Sequence, residues 1–244
     1  MSEPENLAYM NTDPVIYLIP SVLNENALET IPAYVLDAVK SCSVIFAENE
    51  RTTRRFLRSL SKEVIIDEYE WFTIHQSEEE KLQVFRQKVK EGKCIAIISE
   101  AGCPGIADPG QILIASAQEM NLKIRPLVGP SSILLALMAS GMNGQQFEFL
   151  GYLPIEAAER TKAIIGLETA SQFKKSTKIF IETPYRNIQL LESLLKDCKA
   201  NTRLCLAAEL TSVNEWVRTK TIENWRKEKP DLHKRAVIFL LQAG

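Results

Sequence analysis

The stretch Ile97–Gln118, IISEAGCPGIADPGQILIASAQ, decides how the rest of this chain is read. An apolar run stops at Ser99, and from Glu100 to Gly110 eleven residues carry three glycines and two prolines. After that loop apolar residues return at helical spacing. Strand, glycine-rich loop and helix in this order are the unit of a parallel α/β sheet, and such sheets take ligands outside the carboxyl ends of their strands. Gly102 and Gly105 either let another molecule approach bare backbone or simply mark a tight turn. Asp108 stands where a helix N-cap belongs and Pro109 where the first helical residue belongs. The spacing therefore predicts a helix from about Pro109 to Met120, with Asp108 as its cap.

The same alternation extends outward from this loop. VIYLIP (Val15–Pro20), SVIFAE (Ser43–Glu48), CIAIIS (Cys94–Ser99) and KIRPLV (Lys123–Val128) read as strands. Helical spacing separates them over Ala27–Val39, RTTRRFLRSL (Arg51–Leu60) and about Ser77–Glu91. The strands are near-continuous apolar runs, as expected of parallel strands covered on both faces. From Leu127 onward the pattern changes. GPSSILLALMASG reads as a small-residue helix after a Gly-Pro break, and Ala157–Ala170 and ETPYRNIQLLESLL are also helical. FEFLGYLP, STKIFIE, RLCLAAELT and AVIFLLQ read as strands, and EWVRTKTIENW as a strand-like hairpin, so local antiparallel or mixed pairing is expected. The expected fold is α/β with two lobes: a loose tail over 1–13, a lobe with a mainly parallel sheet over 14–126, and a lobe with a mixed sheet over 127–244, with a cleft between the lobes.

Bulk properties exclude several classes. The net charge is −2 on 244 residues, so a polyanion would have to be held by a local patch rather than by the whole surface. The five cysteines are scattered, odd in number and form no CxxC, which fits reduced thiols in the cytoplasm. No apolar run approaches the length of a membrane span, and the polar, acidic start lacks the features of a signal peptide. The loop is neither a P-loop nor GxGxxG, and no GxSxG elbow occurs. The only histidines, His75 and His233, are far apart, so no metal site is expected.

Three further stretches carry candidate chemistry. In GPSS, Ser131 or Ser132 either caps the following helix or meets the polar edge of a ligand. In IETPYRN, Thr183 and Pro184 again read as cap and first helical residue, while Arg186 either holds an anion near the helix start or is plain surface. In AENERTTRRFLRSLSK, Arg51, Arg54, Arg55, Arg58 and Lys62 include positions three or four apart, with no acid between them. They form a solvated face or a compact patch for phosphates, and Glu48 and Glu50 are placed to pair with some of them.

These motifs occur in an order that resembles the tetrapyrrole methylase superfamily, and within it the small-subunit ribosomal RNA methyltransferases that modify a cytidine ribose 2′-oxygen. AENERTTRRFL, SEAGCPGIADPG, RPLVGPSSILLALMASG, FEFLGYLP, IETPYRNIQLLESL and AAELT match that branch's AEDTRxT, SDAGTPxxxDPG, PxPGPxA, F.F.GFLP, E(S/T)PHR and ARELTK patterns. The resemblance implies S-adenosylmethionine in the interlobe cleft, usually in a homodimer, with small-subunit ribosomal RNA as partner. It carries cofactor contacts onto Glu100, Ala101, Gly102, Pro104, Ile106 and Ala107 of the loop, onto Ser131, Ser132 and Thr183, and onto Ala207 with Ala208. Arg51, Arg54, Arg55, Tyr185 and Arg186 fall on the substrate side, the arginines as phosphate contacts. A ribose hydroxyl is a weak nucleophile and wants a base, for which Glu48, Glu182 and Glu209, each near a strand end, are candidates. The chain departs from the pattern in its first loop, IPSVLNEN, which has no glycine, and at Asn49, Cys103, Tyr185, Ala208 and the terminal HKRAV. The alternatives are methylation of a tetrapyrrole or other small molecule, and a relative that binds cofactor or RNA without catalysis.

Overall fold

The computed structural model describes residues 14–74 and 78–244. The expected tail over 1–13, His75 and the expected helix start at Ser77 lie outside the described residues. The chain divides into two compact units, 1–130 and 131–244.

The first unit holds β1 (Val15–Ile19), α1 (Tyr34–Ser41), β2 (Val44–Ala47), α2 (Glu50–Leu60), β3 (Glu70–Thr73), α3 (Glu78–Lys90), β4 (Ile95–Ile98), α4 (Gln111–Glu119) and β5 (Lys123–Pro126). Its five strands are all parallel, in the order β3-β2-β4-β1-β5. β2 and β4 are buried at every position, which is why their sequences read as unbroken apolar runs. Successive side chains go to opposite faces. Ile45, Ala47, Ala96 and Ile98 join a cluster with Val35, Val39 and Leu57 of α1 and α2. Val44, Phe46, Ile95 and Ile97 join another with Phe85 of α3 and Leu113 of α4. Each fully buried Val, Leu, Ile or Phe among them contributes about 1.5–3 kcal/mol relative to exposure.

This distribution fixes a switch point. β2 leaves through α2 on one face toward β3, while its neighbour β4 leaves through α4 on the other face toward β5. A crevice at the carboxyl ends of β2 and β4 is where an open α/β sheet binds ligands.

The second unit holds α5 (Ser132–Ser140), β6 (Phe147–Tyr152), α6 (Ala157–Lys174), β7 (Thr177–Ile181), α7 (Asn187–Asp197), β8 (Arg203–Ala208), β9 (Trp216–Thr221), α8 (Ile222–Lys227) and β10 (Val237–Gln242). The sheet is mixed, in the order β6-β7-β10-β8-β9, with β6 and β7 parallel and the other pairs antiparallel. Its core gathers Leu190, Leu191 and Leu194 of α7 with Phe180, Leu206 and Phe239 of the sheet. Trp225 is fully buried there, and its indole N–H donates to the Leu204 carbonyl at 2.9 Å, so its one polar atom is satisfied.

Three helix starts differ from the sequence reading: over Ala27–Val39 only a 3-10 turn at Leu28–Thr30 precedes α1, which begins at Tyr34, and two more lie at α4 and α7. α4 begins at Gln111, and Gly110 with φ 110° holds the N-cap position, so Asp108 stands two residues outside it. α7 begins at Asn187 after a turn closed by the Arg186 N–H on the Thr183 carbonyl at 2.9 Å, so Thr183 is not its cap. In both places a Pro-containing turn precedes the helix rather than starting it. The expected hairpin EWVRTKTIENW is instead strand β9 followed directly by helix α8, capped by Thr221.

Candidate functional site

Three loops meet at the carboxyl end of the parallel sheet. After β1, Ser21 pairs with Gly102 of the loop after β4 through two backbone hydrogen bonds of 2.9 and 3.1 Å. The Ser21 hydroxyl donates to the Ser99 carbonyl at 2.7 Å. After β5, Gly129 lies so close to Pro20 that an added Cβ would stand 2.2 Å from the proline Cβ. The glycine missing from the first loop thus has a counterpart: Pro20 is accommodated by Gly129 across the gap.

The loop Glu100–Gly110 is locally strained. Gly102 and Gly105 both have φ +75°, and Ala107 adopts φ 63°, a left-handed conformation that an L side chain rarely takes. The Gly102 backbone is not open, because its N–H and C=O are both engaged by Ser21 and the residue is buried. Pro104 is also buried, whereas Glu100, Ala101, Ile106 and Ala107 are exposed, Ile106 at 53%. The surface this loop offers therefore consists of its two flanks rather than its glycines.

Carboxylates define the crevice between β2 and β4. The Glu48 N–H donates to the Ile98 carbonyl at 3.0 Å, which extends the ladder by one residue and holds Glu48 rigid. Its carboxylate accepts the Glu100 N–H at 2.7 Å. Asn49 caps α2, its side-chain oxygen accepting from the N–H groups of Arg51 and Thr52 at 3.1 and 3.3 Å. Its amide donates to the Glu100 carboxylate at 3.3 Å. An amide can do both, which gives a reason for Asn at this position. Burial, and then the nearby Glu48 charge, push the Asp108 carboxyl up to about 7. Burial likewise raises the Cys103 thiol, with Asp108 adding to the effect, and its Sγ lies 3.6 Å from the Pro130 carbonyl.

The second unit arranges its candidates differently. Glu182 is buried, and its carboxylate accepts from the Arg186 guanidinium at 2.7 and 3.0 Å and from the Thr183 N–H at 2.7 Å. Glu209, with φ 49°, accepts from Arg235, whose guanidinium also donates to the Asn214 carbonyl at 3.0 Å. Ser131 occupies the N-cap of α5 without a side-chain capping bond, and both Ser131 and Ser132 are partly exposed. Ala207 and Ala208 are fully buried within β8, with Ala208 in the core cluster of this unit. Tyr185 is 74% exposed.

The arginines of α2 separate into two kinds. Arg54 is bound by Glu50 at 2.8 Å and Asp67 at 3.2 Å and lies 4.7 Å over the Trp71 ring. Arg55 meets Glu25 at 3.1 Å, while Arg51 and Arg58 are exposed without an ion pair among the described residues.

Sequence reasoning singled out Glu48 and, separately, the loop with Glu100, which the structure brings together, but missed Ser21, Gly129 and the partial burial of Asp108. The available signals were a serine directly after a strand-ending proline and the glycine of LVGP. Among the described residues no group of His, Cys, Asp or Glu is placed to hold a metal ion, and no helix is long and apolar enough to cross a membrane.

Comparison with known proteins gives this geometry a family. Residues 27–225 match the family described as Tetrapyrrole (Corrin/Porphyrin) Methylases. The chain is 29% identical over 241 residues to the ribosomal RNA small subunit methyltransferase I of Vibrio cholerae serotype O1, across 97% of this chain and 80% of that one. It is 27% identical over 236 residues to the protein of the same name from Escherichia coli O157:H7, across 95% and 79%. In fold it is similar to diphthine synthase, with a TM-score of 0.66 at 13% identity over 94% of this chain and 89% of that one. It is similar also to the methyltransferase CobJ, with 0.63 at 14% over 96% and 95%. By sequence, the chain belongs to the tetrapyrrole methylase family and is a methyltransferase.

Proposed function

We propose that this chain transfers the methyl group of S-adenosylmethionine to a ribose 2′-hydroxyl of small-subunit ribosomal RNA. The observation that carries the reading is the crevice between β2 and β4, where Glu48, Glu100 and the partly buried Asp108 converge beside a strained loop. Three acids suit a ligand with a positive sulfur and an ammonium group, and the loop's exposed flanks at Ala101, Ile106 and Ala107 suit its nucleoside and aliphatic parts. When bound, S-adenosylmethionine supplies an electrophilic methyl group on a positive sulfur. Glu100, Ala101, Gly102, Pro104, Ile106 and Ala107 hold it from the first unit, with Gly102 and Pro104 acting by shaping the loop. The resemblance carries further contacts onto Ser131, Ser132, Thr183, Ala207 and Ala208, which belong to the second unit.

The acceptor hydroxyl must lose a proton as it is methylated. Of the three candidate bases, Glu182 and Glu209 are each neutralised by an arginine, whereas Glu48 accepts a backbone N–H and meets no cation among the described residues. Glu48 therefore takes the proton. The names of the relatives support ribosomal RNA as acceptor. A homodimer working in the cytoplasm belongs to the same proposal and is checked by sedimentation of the purified chain.

The test is calorimetric titration with S-adenosylmethionine, then incubation of protein and labelled cofactor with small-subunit ribosomal RNA. The wild type should bind and label a ribose oxygen, and Ala101→Trp, on the exposed flank, should lose both. Undiminished binding in the variant overturns the loop assignment, and label on a base or on no RNA overturns the acceptor.

A further inference from the structure

One face of α2 carries an open groove of about 400 Å³ lined by Glu50, Arg51, Arg54, Arg55 and Arg58. Its four arginines are not equivalent. Arg54 is fixed on three sides, by Glu50, by Asp67 and by the Trp71 ring. That ring is itself anchored, its N–H donating to the Ile66 carbonyl at 3.0 Å. Arg54 thus clamps α2 to the segment before β3, with two N–H groups on carboxylates and its plane near a ring. Arg51, Arg55 and Arg58 follow one another at four- and three-residue steps, so they share a helical face about 10 Å long. Two of them carry no ion pair among the described residues. The third holds Glu25 through a contact whose side chains are 58% and 78% exposed, the sort of pair that contributes little and exchanges readily.

Resting on the reading that the acceptor is RNA, we infer that Arg51, Arg55 and Arg58 form an edge that grips the sugar–phosphate backbone, with Arg54 as a structural clamp and Glu25 as the carboxylate that a phosphate displaces from Arg55. Charge complementarity selects the occupant: three guanidinium forks in a row match the paired oxygens of successive phosphates, on a chain whose net charge is −2. The groove lining includes no aromatic ring, so bases do not stack there and the edge holds RNA without reading its sequence. Its position fits delivery to the crevice. Asn49, two residues before Arg51, donates to Glu100, so the edge begins where the carboxylates are. Arg186, engaged by Glu182, falls outside this set for the same reason as Arg54.

The experiment is fluorescence anisotropy of the full chain with labelled oligouridylate across a salt series, with calorimetric S-adenosylmethionine binding measured on the same proteins. Arg51→Gln, Arg55→Gln and Arg58→Gln should each lower the slope of log affinity against log salt by about 0.7, and the triple variant by about 2. Glu25→Gln should raise affinity several-fold at low salt. Arg54→Gln should lower Tm while leaving the slope within about 0.2 of the wild type. A triple variant that keeps the wild-type slope overturns the edge, even where methyl transfer to ribosomal RNA shows the parent reading to be sound. A wild type that binds neither oligouridylate nor small-subunit ribosomal RNA overturns both. Cofactor binding should be unchanged in every edge variant; its loss in the triple variant, with Tm unchanged, would move these arginines to the cofactor site and overturn the edge.

Discussion

Glu48 and Glu209 occupy the same place in two different sheets. Each follows an alanine that ends a buried strand, in FAE and AAE, and each has its side chain near the carboxyl end of that strand. Their partners differ. Glu48 is held by the Glu100 N–H, and its charge bears on Asp108, whereas Glu209 is met by the Arg235 guanidinium, as Glu182 is by Arg186. At this strand end the first unit sets no cation against its carboxylate among the described residues, whereas the second neutralises the corresponding one. One arrangement suits binding a cation and accepting a proton; the other suits holding a strand end in place. Sequence position alone does not decide between these uses.

The comparison breaks most visibly in catalysis. Glu48→Gln should reduce methyl transfer by about 10²–10⁴ in kcat with cofactor affinity changed far less, since a positioned base contributes about that much. Glu209→Gln should cost less than tenfold. Single-turnover transfer to ribosomal RNA measures both, and equal losses would assign the base to the second unit or to neither.

Stability should run the other way. Glu182→Ala removes the partner of Arg186 and leaves the Thr183 N–H without its acceptor, at a carboxylate only 2% exposed. A loss of about 3 kcal/mol in urea unfolding is expected. Glu48→Ala, which removes one hydrogen bond to a backbone group, should cost about 1–2 kcal/mol. A reversal of this order would mean that the first crevice is the structural one.

The two units also differ in how much of them could be read in advance. The parallel sheet was legible because β2 and β4 are buried on both faces, so their residues are apolar throughout. In the mixed sheet the expected local antiparallel pairing holds for β8 with β9, whereas β10 inserts between β7 and β8, which nothing local indicates, and β9 passes straight into α8. Helix starts were less legible. Asp108-Pro109 and Thr183-Pro184 carry the local chemistry of a cap, yet each lies in a turn before the helix. For Thr183 that turn is held by a contact between Glu182 and Arg186, which local propensity does not contain. The availability of the arginines was hidden in the same way. Asp67 lies thirteen residues beyond Arg54, and Arg235 lies twenty-six beyond Glu209, so nothing local says which cations are already engaged.

Two glycines sharpen the packing side of the contrast. Gly129→Ala would place a Cβ 2.2 Å from Pro20 and force the first and third loops of the crevice apart. A loss of about 1–3 kcal/mol is expected, together with weaker cofactor binding. Gly144→Ala in the second unit meets nothing within 4 Å and should change stability by less than about 0.5 kcal/mol. Similar effects at the two positions would show that the loops yield without cost.

The smallest effect is the dependence on pH, where Asp108 of the first unit and Glu148 of the second should have opposite signs. Asp108 has its folded pKa raised to about 7 from an ordinary 3.8, by burial first and by Glu48 next. Between those values the folded chain keeps a proton that the unfolded chain has released, so this group makes stability fall as pH rises through the window. Asp108→Asn removes the effect. Relative to wild type it should gain nothing near pH 4 and about 1–2 kcal/mol at pH 8, once solvent screening is allowed for. In the second unit Lys178 holds the Glu148 carboxyl below its ordinary 4.5, which contributes stability above that value and loses it as pH falls through the folded pKa. Glu148→Gln should therefore cost stability at neutral pH and cost nothing in acid. Urea unfolding of both variants from about pH 2 to 8 gives two difference curves. If the Asp108→Asn curve is flat, the acidic crevice is no more than solvated surface, and the contrast between the units reduces to ion pairing in the second.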